Sequence, residues 1–324
     1  MDYAYQIDAY GGPEALKRVA QTPVPPGPGE ARIRQTLVGF NFTDINHRSG
    51  RYPVPLPSVL GVEAAGIVES VGAGVANIAP GQRVIYAMSL GAYSSARVIA
   101  AEKLIAIPDD IPDALAVAAF MKALTAEFLV RRVHAVKAGE IVLVHAAAGG
   151  VGAMLCQWAA HLGARVIGVV GAQAKKAFAE ANGCEAVLVG TDDLAERIRA
   201  IAPDGVDVAY DSVGHDTFFA SLKSLRPHGL FVSFGSASGM LPPFDLNELP
   251  AHGAPFLTRA AFGNYFPDKS QVQTSAEAVF SLLRPGVLRP RIGGLYALTE
   301  VSACHADAEA RTIIGSSLLE VGQG

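Results

Sequence analysis

The 324-residue sequence is poor in charged residues and carries a single tryptophan. Only 17% of its residues are charged and 50% are hydrophobic, so much of the chain must be buried, which favours a compact α/β protein. The formal net charge of −4 provides no broad basic surface, so we expect neither a nucleic-acid nor a membrane partner. The length exceeds the roughly 150 residues of one typical domain, and we therefore expect two domains.

Cysteines and long apolar segments are also scarce. Cys156, Cys184 and Cys304 are odd in number and far apart, which predicts reduced thiols that serve as packing residues. The longest apolar stretch, ALAVAAFMKALTAEFLV, is interrupted by Lys122 and Glu127 and is too short to span a bilayer comfortably. MDYAYQIDAYGG lacks the pattern of a secretory or transit signal, so we expect a cytoplasmic protein.

Motifs of several enzyme classes are missing. GSASG at 235–239 has Ala237 where a hydrolase nucleophile elbow needs serine, and no G-K-[ST] loop occurs. No Cys-x-x-Cys pair and no histidine pair at i, i+3 or i+4 spacing is present, so no local motif assembles a zinc site. We expect His145, which ends an apolar strand, to be a buried histidine with satisfied hydrogen bonds rather than a base. Hydride transfer is the chemistry that remains.

The order of predicted elements divides the chain. Up to about residue 110 it is rich in Gly and Pro, with short β segments that indicate an antiparallel or barrel-like domain. From about residue 123 strands and helices alternate, a pattern typical of right-handed βαβ units in a doubly wound parallel sheet. The last 50 or so residues return to a mixture. We therefore predict one domain over 1–122 and 265–324 and another over 123–264.

A glycine-rich turn in IVLVHAAAGGVGAMLCQWAA, residues 141–160, follows the first of these strands. Gly149 and Gly150 permit a tight bend, Gly152 permits close packing on the strand, and a helix predicted from Val151 directs its N–H groups over the turn. A pyrophosphate fits that position, although Ala147 replaces the first glycine of the dinucleotide fingerprint. A glycine-rich turn without a ligand is the alternative. Helical spacing places the tryptophan, Trp158, in the core.

The end of the second strand indicates which dinucleotide binds. NAD sites place an acidic residue there to bind the ribose 2′-OH, whereas VIGVVGAQAKK contains no Asp or Glu. Lys175 and Lys176 follow instead and can neutralise a 2′-phosphate, which predicts NADPH over NADH. The alternative is that both lysines belong to a solvated helix face.

Seven motifs resemble, in order and spacing, the zinc-free quinone oxidoreductases of the medium-chain dehydrogenase/reductase superfamily, which include the ζ-crystallin type. They are GGPEAL, NFTDINHRSGRYP, GVEAAGIVESVGAGV, GAYSSARVI, HAAAGGVG, YDSVG and VSFGSASG. The resemblance covers nearly the whole chain. It implies a GroES-like catalytic domain formed from both chain ends, a Rossmann domain between them, and a homodimer.

The resemblance also implies catalysis without a metal. Asn41 and Val62 stand where zinc-dependent relatives carry Cys and His ligands, and only the acidic position is kept, as Glu63. Oxidising an alcohol is assisted by a Lewis acid, so an intrinsically electrophilic acceptor fits this family better. A quinone is such an acceptor, reduced by hydride transfer or by one-electron steps, and a conjugated enone or alkenal is the alternative. A non-catalytic NADPH- and RNA-binding role is a third alternative, for which the sequence offers no aromatic platform or basic stripe.

The residue roles carried over by the resemblance are expectations. It places Asn41 and Asp44 by the nicotinamide and Tyr52 beside the substrate, and we expect Asn41 and Tyr52 to hydrogen-bond carbonyl oxygens. Asp44 could equally be a structural turn residue, and Tyr52 could simply pack a loop. The remaining cofactor contacts that it implies are Thr125, Gly149, Gly150, Val151, Gly152, Gly171, Lys175, Ser212, Val213, Phe234, Gly235, Ser236, Arg259 and Ser317.

Three positions depart from the family pattern. Asn46 and Gly190 replace tyrosines that lie near the cofactor in relatives, and Ser316 replaces a lysine. Each of these changes is expected to weaken the hold on NADPH.

Overall fold

The computed structural model of the chain describes residues 1–266 and 268–322, without the side chain of Lys269. These residues form two compact units. The first unit comprises residues 1–121, 276–284 and 290 onward, and the second comprises residues 122–275 and 285–289.

The strands and helices alternate differently in the two units. In chain order the strands are β1 Asp2–Ile7, β2 Lys17–Gln21, β3 Glu30–Gly39, β4 Ser58–Val59, β5 Ala64–Val71, β6 Arg83–Tyr86, β7 Ala96–Ala100, β8 Ile105–Ala106, β9 Ile141–His145, β10 Arg165–Val170, β11 Ala186–Val189, β12 Val206–Asp211, β13 Leu225–Ser233, β14 Phe256–Arg259, β15 Ile292–Ala297 and β16 Ser316–Glu320. The helices are α1 Phe42–Arg48, α2 Asp113–Phe128, α3 Gly150–His161, α4 Lys176–Ala181, α5 Leu194–Ile201, α6 Phe218–Ser224, α7 Phe262–Tyr265, α8 Lys269–Leu283 and α9 Val301–Glu309.

The first unit is built mainly from β-strands. Its larger sheet has the order β15-β16-β3-β5-β6-β8, with β7 also paired to β3, and its smaller sheet has the order β2-β1-β4. β16, from the C-terminal segment, pairs antiparallel with β3 so that Leu318 lies opposite Gly39. The Phe40 N–H donates to the Ser317 carbonyl at 3.1 Å. The C-terminal segment therefore completes the sheet that leads into α1.

The second unit contains a parallel sheet with the order β11-β10-β9-β12-β13-β14. The chain starts at β9, adds β10 and β11 on one side, and then crosses over to add β12, β13 and β14 on the other. This is the 3-2-1-4-5-6 order of dinucleotide-binding folds, in which ligands bind at the carboxyl ends of the strands near the point where the order reverses. That point lies between β9 and β12.

Helices cover both faces of this parallel sheet. Leu143, Ile167 and Phe231 are buried on one face in a cluster that also contains residues of α5 and α6. The alternating residues Val142 and Val144 are also fully buried, so the other face is covered as well. The predicted doubly wound fold is confirmed.

Details of the helix after β9 match its sequence pattern. α3 begins at Gly150, one residue before the predicted start. Trp158 is 3% exposed, as predicted for a core residue. Burying a side chain of this size stabilises the fold by roughly 2 to 3 kcal/mol.

Among the described residues, no helix has both the length and the apolar character that crossing a membrane requires.

Candidate active site

The glycine-rich turn joins β9 to α3 through a strained backbone. Ala146 has a left-handed φ of +51°, which costs a residue with a Cβ about 1 kcal/mol. Its carbonyl accepts a hydrogen bond from the Gly149 N–H at 2.8 Å. The Ala153 N–H donates to the Gly149 carbonyl, so the amides of residues 150–152 precede the first full helical hydrogen bond. These three N–H groups provide the donors that a pyrophosphate needs, and the positive end of the helix dipole favours its negative charge.

Gly152 is required by the packing of this turn. A Cβ at Gly152 would lie 2.2 Å from the Ala146 carbonyl oxygen, and a Cβ at Gly149 would lie 3.2 Å from the same atom. By contrast, a Cβ at Gly171, after β10, meets nothing within 4 Å. Gly171 is therefore open within the folded chain, and the space above it remains accessible to a ligand.

The two lysines after β10 have different surroundings. Lys175 is half-buried at the end of a 3₁₀ turn, Gln173–Lys175. Lys176 opens α4 and forms an ion pair with Glu180 at 3.8 Å. After the next strand, Gly190 has a φ of +74°, a conformation that favours glycine over the tyrosine of relatives.

Asp211, at the end of β12, shapes the turn that contains Ser212 and Val213. Its Oδ1 accepts hydrogen bonds from the Val213 and Gly214 N–H groups at 2.8 and 2.9 Å. Its Oδ2 accepts from the Thr217 hydroxyl at 2.7 Å and the Ser221 hydroxyl at 3.1 Å. The fully buried carboxylate therefore ties this turn to α6. Asp211 belongs to the motif YDSVG, and the sequence analysis predicted no role for it.

The prediction for His145 is correct in one part and wrong in another. The side chain is fully buried, and burial lowers its pKa. Ser221 donates to Asp211, so its hydroxyl must accept from His145 Nε2, at 2.8 Å. His145 Nδ1 is buried and has no hydrogen-bond partner among the described residues, so the histidine is only half satisfied.

The end of β13 contributes the turn of Phe234, Gly235 and Ser236. A Cβ on Gly235 would lie 2.5 Å from the Ser212 carbonyl oxygen, so this glycine brings the turns after β12 and β13 together. Arg259, at the end of β14, donates from Nη1 to the Ser233 hydroxyl and the Gly235 carbonyl, both at 2.7 Å. In the second unit, the residues from Gly149 onward that are expected to contact the cofactor therefore lie at the carboxyl edge of the sheet, whereas Thr125 lies within α2.

In the first unit, Asn41 and Asp44 lie at the start of α1. The Asn41 N–H donates to Asp44 Oδ2 at 3.0 Å, which stabilises the N-terminus of this seven-residue helix. Asp44 therefore caps α1, and its expected place beside the nicotinamide stays a prediction. Asn41 Nδ2 donates to the Gly39 carbonyl at 3.1 Å and to Glu63 Oε2 at 2.9 Å. Glu63 is fully buried and its Oε1 also accepts from the Met121 N–H at 2.7 Å.

These contacts give the Asn41 side chain partners within the first unit. Its Nδ2 lies within hydrogen-bond distance of two oxygen acceptors there. The amide cannot be reversed, because its Oδ1 would then face the Gly39 and Glu63 oxygens. Its expected hydrogen bond to a substrate carbonyl stays a prediction, and the contact with Glu63 is an additional one. Sequence reasoning missed this because Glu63 is 22 residues away.

Tyr52 lies near the end of α1. Its N–H donates to the Asn46 carbonyl at 3.0 Å, and its half-buried ring contacts the His47 ring with centroids 6.1 Å apart. Asn46 is 5% exposed, and its Oδ1 has no hydrogen-bond partner among the described residues. Ser317 is buried in β16 beside β3. Ser316 donates to the Ala118 carbonyl at 2.7 Å, so this departure from lysine is accommodated in the interior.

The thiols and the possible metal ligands of the chain form no further site among the described residues. All three cysteines are free and buried, as predicted, with Cys156 and Cys184 Sγ atoms 3.5 Å apart. In the described part of the chain, no three His, Cys, Asp or Glu side chains are grouped closely enough to bind a metal ion.

Comparison with known proteins identifies the family. Residues 27–109 match the family model "Alcohol dehydrogenase GroES-like domain", and residues 150–281 match "Zinc-binding dehydrogenase". A quinone oxidoreductase of Pseudomonas aeruginosa is 42% identical over 97% of this chain and 98% of its own length. The chain belongs to the quinone oxidoreductase family. A 2-haloacrylate reductase of a Burkholderia species is 40% identical over 98% of this chain and 99% of its own.

Solved structures in this family superpose on nearly the whole chain. An Escherichia coli quinone oxidoreductase complexed with NADPH has a TM-score of 0.95 and 40% identity, covering 98% of this chain and all of the other. A mycobacterial protein complexed with NADPH has the same TM-score and coverage at 38% identity. The expected superfamily and its GroES-like and Rossmann folds are therefore confirmed.

Proposed function

We propose that the protein is an NADPH-dependent reductase of quinones. The observation that carries this proposal is the glycine turn between β9 and α3, placed at the order-reversal point of a 3-2-1-4-5-6 sheet. The quinone oxidoreductases that match the full chain support the same activity.

The residues of the second unit fit NADPH. Gly152 leaves no room for a Cβ beneath the turn, and the α3 N–H groups offer donors to a diphosphate. Gly171 leaves open space where the adenosine ribose is proposed to lie, and no carboxylate follows β10 to repel a 2′-phosphate. Lys175, at the end of the 3₁₀ turn that follows β10, is proposed to bind that phosphate.

NADPH supplies a hydride, and a quinone that takes up a hydride and a proton becomes a hydroquinone. The first unit is proposed to hold the acceptor beside Tyr52, whose backbone is tied to the end of α1. The Asn41 amide nitrogen faces the Gly39 carbonyl and Glu63 Oε2, and its backbone N–H donates to Asp44, so we propose that Asn41 is fixed at the start of α1. Val62 is buried at the position of a zinc ligand in zinc-dependent relatives and offers no electron pair to a metal. We therefore propose turnover without a metal.

Reduction of a conjugated C=C bond is the second candidate. It is favoured by the full-length match to a 2-haloacrylate reductase, whose named acceptor carries a C=C bond conjugated to a carboxylate. Both reactions need the same cofactor and differ only in the acceptor.

Comparing acceptors at fixed NADPH separates the two candidates. We expect kcat/KM for 1,4-benzoquinone and 9,10-phenanthrenequinone to exceed that for a 2-alkenal or 2-chloroacrylate by at least about tenfold, because each 1.4 kcal/mol of transition-state preference gives this factor. Dialysis against a chelator should leave these rates unchanged. Faster turnover of the alkenal or the haloacrylate would favour the second candidate.

We also propose that the protein is a homodimer. β14 ends its sheet and pairs only with β13 among the described strands. Phe256 on this strand is 64% exposed, and nearby in sequence Leu246 is 68% and Met240 is 71% exposed. An open strand edge beside apolar side chains favours pairing with a second copy. Sedimentation equilibrium of the wild type should give twice the 33.7 kDa mass of the chain. The Phe256→Asp variant should be shifted towards monomer. A monomeric wild type would contradict the proposal.

A further inference from the structure

A row of buried polar side chains in the first unit leads to Asp44. Arg48 Nη2 donates to Glu309 Oε1 at 2.6 Å, and Arg48 Nη1 lies 3.1 Å from His305 Nδ1. His305 Nε2 lies 2.8 Å from the Tyr93 hydroxyl, which donates to Asp44 Oδ2 at 2.9 Å. Glu309 is partly exposed, whereas the other four side chains are at most 2% exposed.

The direction of these hydrogen bonds follows from the groups at the two ends of the row, Arg48 and the Asp44 carboxylate. Arginine has donors only, so His305 Nδ1 must accept and the proton of the neutral ring lies on Nε2. Nε2–H therefore donates to the Tyr93 oxygen, which leaves the Tyr93 hydroxyl hydrogen for the Asp44 carboxylate. Burial, with the nearby Arg48 charge, lowers the pKa of His305 to about 3, so the ring stays neutral near pH 7. Burial first, and then the Asp44 charge, raises the pKa of Tyr93 well above its usual value.

The packing holds the middle of this row in place. Gly61, with a φ of +80°, leaves space for the Tyr93 ring, since a Cβ there would lie 2.4 Å from it. His305 contacts the Tyr93 ring and the Phe40 ring, with centroids 5.7 and 5.1 Å away. Phe40 directly precedes Asn41. The hydrogen bonds and the ring contacts therefore converge on the start of α1.

We infer that Arg48, His305 and Tyr93 are positioning residues for the reductase reaction. They orient the Asp44 carboxylate, which receives the Asn41 N–H and so fixes the start of α1. Seven residues are too few for a helix that is stable alone, so α1 depends on such contacts for its placement. The role of these residues in turnover rests on the proposed function, whereas the direction of the hydrogen bonds does not.

Substitutions along the row test this inference. Tyr93→Phe removes the hydroxyl that donates to Asp44, and His305→Leu removes both ring nitrogens. His305→Gln keeps an acceptor for Arg48 and a donor for Tyr93. We expect Tyr93→Phe and His305→Leu to lower kcat about tenfold or more, since misplacement by about 1 Å can cost up to roughly 100-fold. The Kd for NADPH should change less than about threefold, and His305→Gln should recover most of kcat.

Tyr86→Phe is the matched control. It removes another buried hydroxyl of the first unit, which donates to Gln35 outside the row, and should leave kcat unchanged. If Tyr93→Phe or His305→Leu lowers the melting temperature but leaves kcat at the level of Tyr86→Phe, the residues only stabilise the fold and the inference is wrong.

Two measurements report on the hydrogen bonds of the row independently of enzyme turnover. Amide hydrogen exchange at Asn41 should become faster in Tyr93→Phe and His305→Leu but not in His305→Gln or Tyr86→Phe. Nitrogen NMR of His305 should show a proton on Nε2 and none on Nδ1 near pH 7. A proton on Nδ1, or unchanged protection of the Asn41 amide in Tyr93→Phe, would overturn the inference even if the wild type reduces no quinone. Inactive wild type with both signals as expected would instead count against the proposed function alone.

Discussion

Replacing Gly152 with valine should raise the Kd for NADPH by at least about 100-fold. The Cβ would lie 2.2 Å from the Ala146 carbonyl oxygen and 3.0 Å from the Ala147 Cα, both backbone atoms that cannot rotate away. The start of α3 must therefore move relative to the turn. Losing two charge-assisted hydrogen bonds from its N–H groups to a diphosphate costs roughly 3 kcal/mol, which corresponds to about 100-fold in affinity. Calorimetric titration with NADPH measures this change.

Gly263→Val is the matched control. Gly263 lies in α7, its φ is not in the left-handed region, and a Cβ there meets nothing within 4 Å. It should leave the Kd for NADPH within about twofold. Circular dichroism of both variants checks that the fold is kept. If a folded Gly152→Val binds NADPH as tightly as the wild type, the glycine turn does not hold the diphosphate.

Replacing Lys175 with alanine should lower kcat/KM for NADPH by about tenfold to 100-fold and leave kcat/KM for NADH nearly unchanged. A hydrogen bond from an ammonium group to a phosphate contributes roughly 1.5 to 3 kcal/mol. NADH has no 2′-phosphate, so its binding does not include this hydrogen bond and should not change. The ratio of the two kcat/KM values is the quantity to compare, because general damage to the fold lowers both.

Lys176→Ala provides the control for this prediction. Lys176 is adjacent and carries the same charge, but it pairs with Glu180 in the next turn of α4. Its removal should change the NADPH to NADH ratio by less than about threefold. Equal losses in the two variants would indicate a general effect of positive charge. An unchanged ratio in Lys175→Ala would exclude this lysine from cofactor selection.

The turns of the second unit could be predicted from sequence because their signals are local. A strand, a glycine turn and a helix follow one another within 20 residues, and the alternation of β and α segments places each turn at the same sheet edge. Even there, the buried Asp211 was missed, since its partners Thr217 and Ser221 are recognised only once α6 is folded against the strand end.

The contacts of the first unit could be predicted less well because they join residues that are distant in sequence. Asn41 follows β3 and Glu63 precedes β5, and their side chains meet only when these two strands have paired. Tyr93 and His305 are separated by 212 positions, and no periodicity relates them. The family motif NFTDINHRSGRYP marked this segment without predicting a helix, and only the folded arrangement shows that the Asn41 N–H and the Asp44 carboxylate meet at the start of α1.

Turnover by the purified wild type tests the central claim most directly. The protein, dialysed against a chelator, is mixed with NADPH and 1,4-benzoquinone, and NADPH loss and hydroquinone formation are followed together. We expect one NADPH consumed per hydroquinone formed, with a rate that saturates in both reactants. If NADPH is not consumed, or is consumed only after zinc is added, the protein is not a metal-independent NADPH:quinone reductase.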